Sequence, residues 1–224
     1  MKMLRPNPRF RTLVALGISL IPISSLRVRL YRMLLGYTIG ANSSIGLLTI
    51  IACPTFRCGD NVQIGRNNTI IGPVTVTIGD NVVIGRFNKF VCGHIASDPS
   101  MKSMEYKREL NIGKGALIYD SHYFDVYGQI NIGEGTWVAG IGSQFWTHGA
   151  SVLDRDIDIG ANCYLGSAVR FAPGSAIGDR SVVGLGSVVI GRHPQTDVVI
   201  SGVPAKVIRS VEAGETRKFV FEFH

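Results

Sequence analysis

Apolar residues recur along this chain every six positions. Ile159, Leu165, Phe171, Ile177, Val183 and Val189 form one unbroken series, and small residues follow most of them: Gly160, Gly166, Ala172, Gly178 and Gly184. Earlier series keep the period: Ile39, Ile45 and Ile51; Ile64, Ile70 and Val76; Ile78, Ile84 and Phe90; Ile112, Ile118 and Phe124; Ile132 and Val138. The phase slips between series, as between Val76 and Ile78. Such a period matches neither the helical repeat nor the simple alternation of strands joined by tight hairpins. It matches a coil with three flat faces. Each face is a short strand, one apolar side chain per face points inward, and a small residue follows at the corner. Gly, Asn and Asp tolerate the positive φ that some corners need, and Gly-Asp-Asn stands at 59–61 and again at 79–81. Coils of about eighteen residues would stack, pair in parallel and bury a continuous column of Ile, Leu and Val.

With this repeat, residues 36–210 resemble the hexapeptide-repeat acyltransferases, whose fold is a left-handed parallel β-helix. The resemblance implies an all-β domain over 37–210, preceded by a helical cap at 1–36 and followed by a tail at 211–224. The period points to the fold more than to an activity, because sugar nucleotidyltransferases, γ-class carbonic anhydrases and pure scaffolds share the coil. Two stretches break the rhythm. Ala96 to Leu110 is a polar insertion with Pro99 and three basic residues, read as a protruding loop that walls a site. Gln144 to Asp158 carries Phe145, Trp146 and His148.

Charge changes the picture only at one end. The 224 residues contain 23 Lys and Arg against 16 Asp and Glu, a net charge of +7. Lys2, Arg5, Arg9, Arg11, Arg27, Arg29 and Arg32 all precede residue 33 with no acid among them, so the remainder is nearly neutral. No aromatic-interleaved basic stripe or nucleic-acid signature is present, and nucleic acid is set aside as a partner. The uncharged run Thr12–Leu26 is shorter than the about 20 residues a spanning helix needs, and Pro22 interrupts it. From Ser25, an expected N-cap, Leu26, Leu30, Met33 and Leu34 fall on one helical face. Residues 1–35 thus read as a helical cap that could lie on a membrane interface, at the inner face of a cytoplasmic membrane. Cys53, Cys58, Cys92 and Cys163 form no paired motif and read as reduced, buried thiols of a cytoplasmic protein.

Of five histidines, His148 stands out, in SQFWTHGAS just before the regular C-terminal coils. Galactoside and maltose acetyltransferases have a catalytic histidine in a similar place. After it come an irregular stretch, an Ile-Gly, an aromatic turn, a Pro-Gly corner, a GxGS segment and a GxPAxxIR ending. This chain has His148, Ile159-Gly160, Tyr164, Pro173-Gly174, Gly184-Leu185-Gly186-Ser187 and Gly202-Val203-Pro204-Ala205-Lys206-Val207-Ile208-Arg209 in that order. The resemblance implies acyl transfer from acetyl-CoA or another acyl-CoA, with no metal required. In such a reaction an imidazole takes the proton of the attacking hydroxyl or amine. Its second nitrogen needs an orienting partner, for which Asp125 or another nearby carboxylate could serve. Backbone N–H groups such as those of Gly142 and Ser143 could hold the oxyanion. His122 and Asp125 share the element DSHYFDVYG, which the resemblance places in one pocket with SQFWTH; His122 reads equally as a structural corner residue.

The same resemblance assigns the coenzyme to Gly166, Ser167, Leu185, Gly186, Lys206 and Arg209, with Arg192 standing where those families often have lysine. The acceptor side is read as Tyr123, Ser143, Gln144, Phe145 and Trp146, whose flat faces and polar groups suit a sugar or a surface-polysaccharide precursor. An N-acetyltransferase acting on a small amine and a non-catalytic scaffold are the alternatives. The paired histidine spacing of the γ-class anhydrases is missing: Tyr127 and Leu153 stand five residues after His122 and His148. A nucleotidyltransferase would need a nucleotide-binding domain ahead of a coil that starts near residue 39. The expected assembly is a homotrimer with His148 near a cleft between subunits.

Overall fold

A computed structural model describes residues 7–149 and 152–211 of the chain. The chain winds around three parallel sheets of eight, nine and seven strands, visiting them in strict rotation. The fold is the expected left-handed β-helix. Every strand pair is parallel except the last, where Val198–Gly202 and Ala205–Ser210 form an antiparallel hairpin. In the strands of the regular coils one residue of the six-residue series points inward and is buried, as at Ile45, Ile51, Ile118, Val138, Leu165 and Val183. The seven-stranded sheet contributes an aromatic column. Phe90, Phe124, Phe145 and Phe171 stand in register, with ring centroids 4.5, 4.4 and 5.2 Å apart in turn. Asn42, Asn61, Asn81 and Asn162 take positive φ at corners, as their short polar side chains allow.

The N-terminal segment folds as two helices, α1 (Pro8–Ser19) and α2 (Ser24–Leu35). Asn7 caps α1 by accepting the Arg9 N–H at 3.0 Å, and Pro8 takes the first turn, where no N–H is needed. Pro22 lies in the break between the helices, and Gly36 ends α2 in the left-handed conformation. The helix starts at Ser24 rather than after a Ser25 cap, because the Ser24 hydroxyl is engaged with the first coil, donating to Ile45 O at 3.1 Å. Its inward face is also not the leucine face. Arg27, Val28 and Tyr31 are buried, whereas Leu26, Met33 and Leu34 face out. Two polar anchors set that orientation: Arg27 Nε donates to Ile45 O at 2.9 Å, and the Tyr31 hydroxyl donates to Thr49 O at 3.0 Å. Among the described residues no helix is long and apolar enough to cross a membrane. The tail beyond residue 211 lies outside the described residues.

Both expected breaks are insertions, and both leave the coil at one corner, where the seven-stranded sheet hands over to the eight-stranded sheet. Thr75 pairs with Glu109 across 34 residues, whereas Glu109 pairs with Gln129 across 20. The extra residues form two short 3₁₀ turns, His94–Ser97 and Pro99–Met104, and by Glu109 the chain is again a regular strand. The second insertion is shorter than its sequence suggested. Gln144–Trp146 is a regular strand, paired on both sides, so the coil is left only at Thr147 and rejoined at Ile157.

Candidate active site

Between the two insertions lies one uninterrupted turn, Val126–Gly128, and this stacking brings three coils together at one corner. Tyr127 of that turn packs on the His148 imidazole, with centroids 4.4 Å apart. Tyr106, from the first insertion, meets the Tyr127 ring edge-on at 5.1 Å. The Tyr127 hydroxyl accepts the Gly93 N–H at 3.2 Å. Any side chain at position 93 would collide with it, since a Cβ there would lie 2.3 Å from the hydroxyl oxygen. The polar insertion thus walls the His148 corner through two tyrosines, neither of which the sequence had singled out.

Asp125 ends the strand Tyr123–Asp125, directly opposite Trp146 in the next coil. Its carboxylate is buried and its Oδ2 accepts from Thr147 N at 3.1 Å and His148 N at 3.2 Å. The same oxygen lies 2.7 Å from His148 Nδ1. A carboxylate oxygen accepts, so Nδ1 carries the hydrogen and Nε2 of the neutral ring keeps its lone pair. The side chain of His148 is 43% exposed, that of Asp125 only 3%. The Thr147 hydroxyl fixes the turn by donating to Asp125 O and accepting the N–H groups of Tyr127 and Gly128, both at 2.9 Å. A buried acid, an oriented imidazole and an open nitrogen are the parts that proton abstraction requires.

Other expected residues fall elsewhere. Tyr123, Gln144 and Trp146 share the outer face of the seven-stranded sheet. The Tyr123 and Trp146 rings are 5.0 Å apart, and Gln144 Oε1 accepts from Trp146 Nε1 and Arg170 Nε. Phe145 and Ser143 are instead fully buried. Strand alternation sends Phe145 into the core, so neither side chain reaches an acceptor. The two N–H groups considered for the oxyanion are already engaged: Gly142 N donates to Ser121 O and Ser143 N to His122 Nδ1.

His122 also lies inside, 1% exposed, so it stands apart from His148 as the structural corner residue. Burial pushes its imidazole pKa down to about 4. An unfolded chain protonates histidine near 6.5. Its contribution to stability is therefore complete above about pH 6.5 and is lost as the pH falls toward 4. Between about pH 6.5 and 5 this group alone should remove about 2 kcal/mol. Urea denaturation at both pH values checks this against His122→Asn, whose side-chain oxygen can still accept the Ser143 N–H; the variant should lose that part of the pH dependence.

On the proposed coenzyme side, Gly166, Ser167, Leu185 and Gly186 line the corner where the nine-stranded sheet hands over to the seven-stranded one. Leu185 there is 80% exposed. Arg192 is tied to Asp158 at 2.9 Å on another face. Lys206 and Arg209 stand on the final strand, three apart, a spacing that in a regular strand sends side chains to opposite faces. An irregularity at Ile208 corrects this. Lys206 pairs with Ser201 and Arg209 with Val199, so both cations share one face. All four cysteines are free and buried, and burial raises the thiol pKa of Cys53 and Cys92 to about 12 and that of Cys163 to about 11.

No family model matches the chain. Galactoside O-acetyltransferase of Escherichia coli (strain K12) is 49% identical over 55 residues, 25% of this chain and 27% of that protein. A protein of Staphylococcus aureus (strain Mu50), whose name gives acetyltransferase as an inferred activity, is 32% identical over 117 residues, 48% of this chain and 58% of its own length. The chain thus spans from about a quarter to little more than half of the curated relatives it matches. Among solved structures, the polysialic acid O-acetyltransferase OatWY superposes with a TM-score of 0.55 and 19% identity, covering 82% of this chain and 92% of that one. The repeat, the coil and the solved structure agree on the hexapeptide-repeat β-helix fold, and the curated proteins that the chain resembles over part of their length are acetyltransferases.

Proposed function

We propose that this protein is an O-acetyltransferase that moves an acetyl group from acetyl-CoA to a hydroxyl of a sugar or surface-polysaccharide precursor. The observation that carries the reading is the Asp125–His148 pair, with one nitrogen held and the other open. His148 Nε2 takes the proton as the hydroxyl attacks the thioester carbonyl. Asp125 holds the tautomer and stabilises the imidazolium, which returns the proton to the departing thiolate. No cysteine competes as an acyl carrier, because burial keeps the thiols protonated. The half-buried tyrosine and tryptophan faces beside the corner suit a sugar ring. Free-thiol release from acetyl-CoA with a panel of sugars, sugar-nucleotides and amines tests the reading; release with amines alone would replace O- by N-transfer.

The same geometry supports a homotrimer. His148 and the Ser167–Leu185 corner lie at opposite edges of the seven-stranded sheet, so one chain cannot bring base and thioester together at either edge. Neighbouring copies can, each lending the corner the other lacks. Light scattering should return the mass of three chains. Lys206 and Arg209 on their shared face are the proposed phosphate contacts of the coenzyme. Each charge-assisted hydrogen bond contributes about 1.5–3 kcal/mol, so Lys206→Ala/Arg209→Ala should weaken acetyl-CoA binding at least about tenfold in a calorimetric titration. The deficit should shrink at high salt; unchanged affinity at low salt would place the phosphates elsewhere.

A further inference from the structure

The two-helix cap presents an unpartnered apolar surface. Phe10, Leu13, Leu20, Leu26, Met33 and Leu34 are all at least 40% exposed, although both helices are anchored to the coil by their opposite faces. On α1 the outward apolar residues follow one helical stripe, since Phe10, Leu13 and the C-cap residue Leu20 recur on its solvent side while Arg11, Ala15 and Ile18 are buried. On α2 Leu26 and Met33 do the same, one turn either side of exposed Arg29. The patch continues into the first coil. The Leu48 N–H donates to Ser19 O at the end of α1, and Leu47 and Leu48 are exposed beside it.

Charge identifies the occupant. No acidic residue occurs before Asp60, and Arg9 and Arg29 lie exposed among the apolar side chains. Not all the N-terminal arginines are available: Arg11 and Arg27 are buried, and Arg32 is hydrogen-bonded to Ile39 O and Gly40 O. A second copy of this face would oppose arginine to arginine. A surface of negative charge over hydrocarbon satisfies both components. We infer that α1 and α2 lie flat on an anionic phospholipid bilayer, their apolar side chains entering the acyl boundary and Arg9 and Arg29 among the headgroup phosphates. Each helix has 12 residues, too few to span, so the contact is interfacial and reversible. It is independent of the acetyl-transfer reading, and either can fail alone.

The test is flotation of the full-length protein with vesicles of phosphatidylcholine containing phosphatidylglycerol, against vesicles of phosphatidylcholine alone. The protein should float with the first and largely remain behind with the second. Leu13→Glu/Met33→Glu should reduce anionic-vesicle binding by at least about tenfold. Both side chains already face solvent, so circular dichroism and thermal melting should be unchanged. Arg9→Gln/Arg29→Gln should weaken binding by a smaller factor and flatten its salt dependence. No flotation with either vesicle, or equal flotation with both, overturns the proposal. So does lipid-independent self-association that the Leu13→Glu/Met33→Glu variant abolishes, which would make the occupant a second copy.

Discussion

In His148→Ala protein, turnover should fall by about 10²–10⁴-fold, the usual contribution of a positioned general base. Acetyl-CoA affinity should stay close to that of the unmodified protein, because the imidazole acts on the acceptor proton and not on the coenzyme. Asp125→Asn should also lower turnover, for a different reason. An amide at that position can present N–H as well as oxygen to Nδ1, so the ring is no longer held in the tautomer that leaves Nε2 free. Its oxygen can still accept the Thr147 and His148 backbone N–H groups, so the turn survives and the loss reads on kcat more than on KM. His122→Ala is the control: its ring is buried and its Nδ1 is occupied by the Ser143 N–H, so it should affect stability before turnover. If His122→Ala abolishes activity while His148→Ala retains most of it, the roles are reversed and the corner described here is not the site.

The sequence revealed the coil because its physical cause is local and repeated. One inward apolar residue per six is needed on every face of every coil, so Ile39 to Val189 carries the same message many times. His148 was legible for a related reason, since it stands where the repeat stops. Its partner was only one candidate among carboxylates. Asp125 precedes His148 by 23 residues, and only the stacking register, Asp125 opposite Trp146, makes them neighbours. Tyr127 and Tyr106 escaped notice because the corner they share is assembled from two insertions whose lengths shift the period; counting residues cannot align them. Helix α2 misled in a different way. Its leucines form a credible inner face by spacing, but Arg27 and Tyr31 make specific hydrogen bonds to Ile45 and Thr49 that leucine cannot make. Those bonds rotate the helix and leave Leu26, Met33 and Leu34 outside, with Leu30 half-buried at the edge of the core.

Phe145 is the sharpest divide between the two levels of reading. In the sequence it belongs to SQFWTH and looks like a wall of the acceptor site; in the fold it is the third ring of a column, fully buried between Phe124 and Phe171. The difference follows from the pleat, because adjacent residues of a strand point to opposite sides, so Phe145 and Trp146 cannot both face an acceptor. Phe145→Ala should therefore lower the unfolding free energy by about 3–5 kcal/mol, the cost of deleting a buried aromatic ring and leaving a cavity. Phe145→Leu should recover part of it by refilling the space. Trp146→Ala, on the half-exposed outer face, should leave the melting transition nearly in place and raise the KM for the acceptor instead. Urea denaturation and steady-state kinetics on the same three variants separate the cases. An unaltered denaturation midpoint with a raised acceptor KM for Phe145→Ala would move that ring out of the core and into the site.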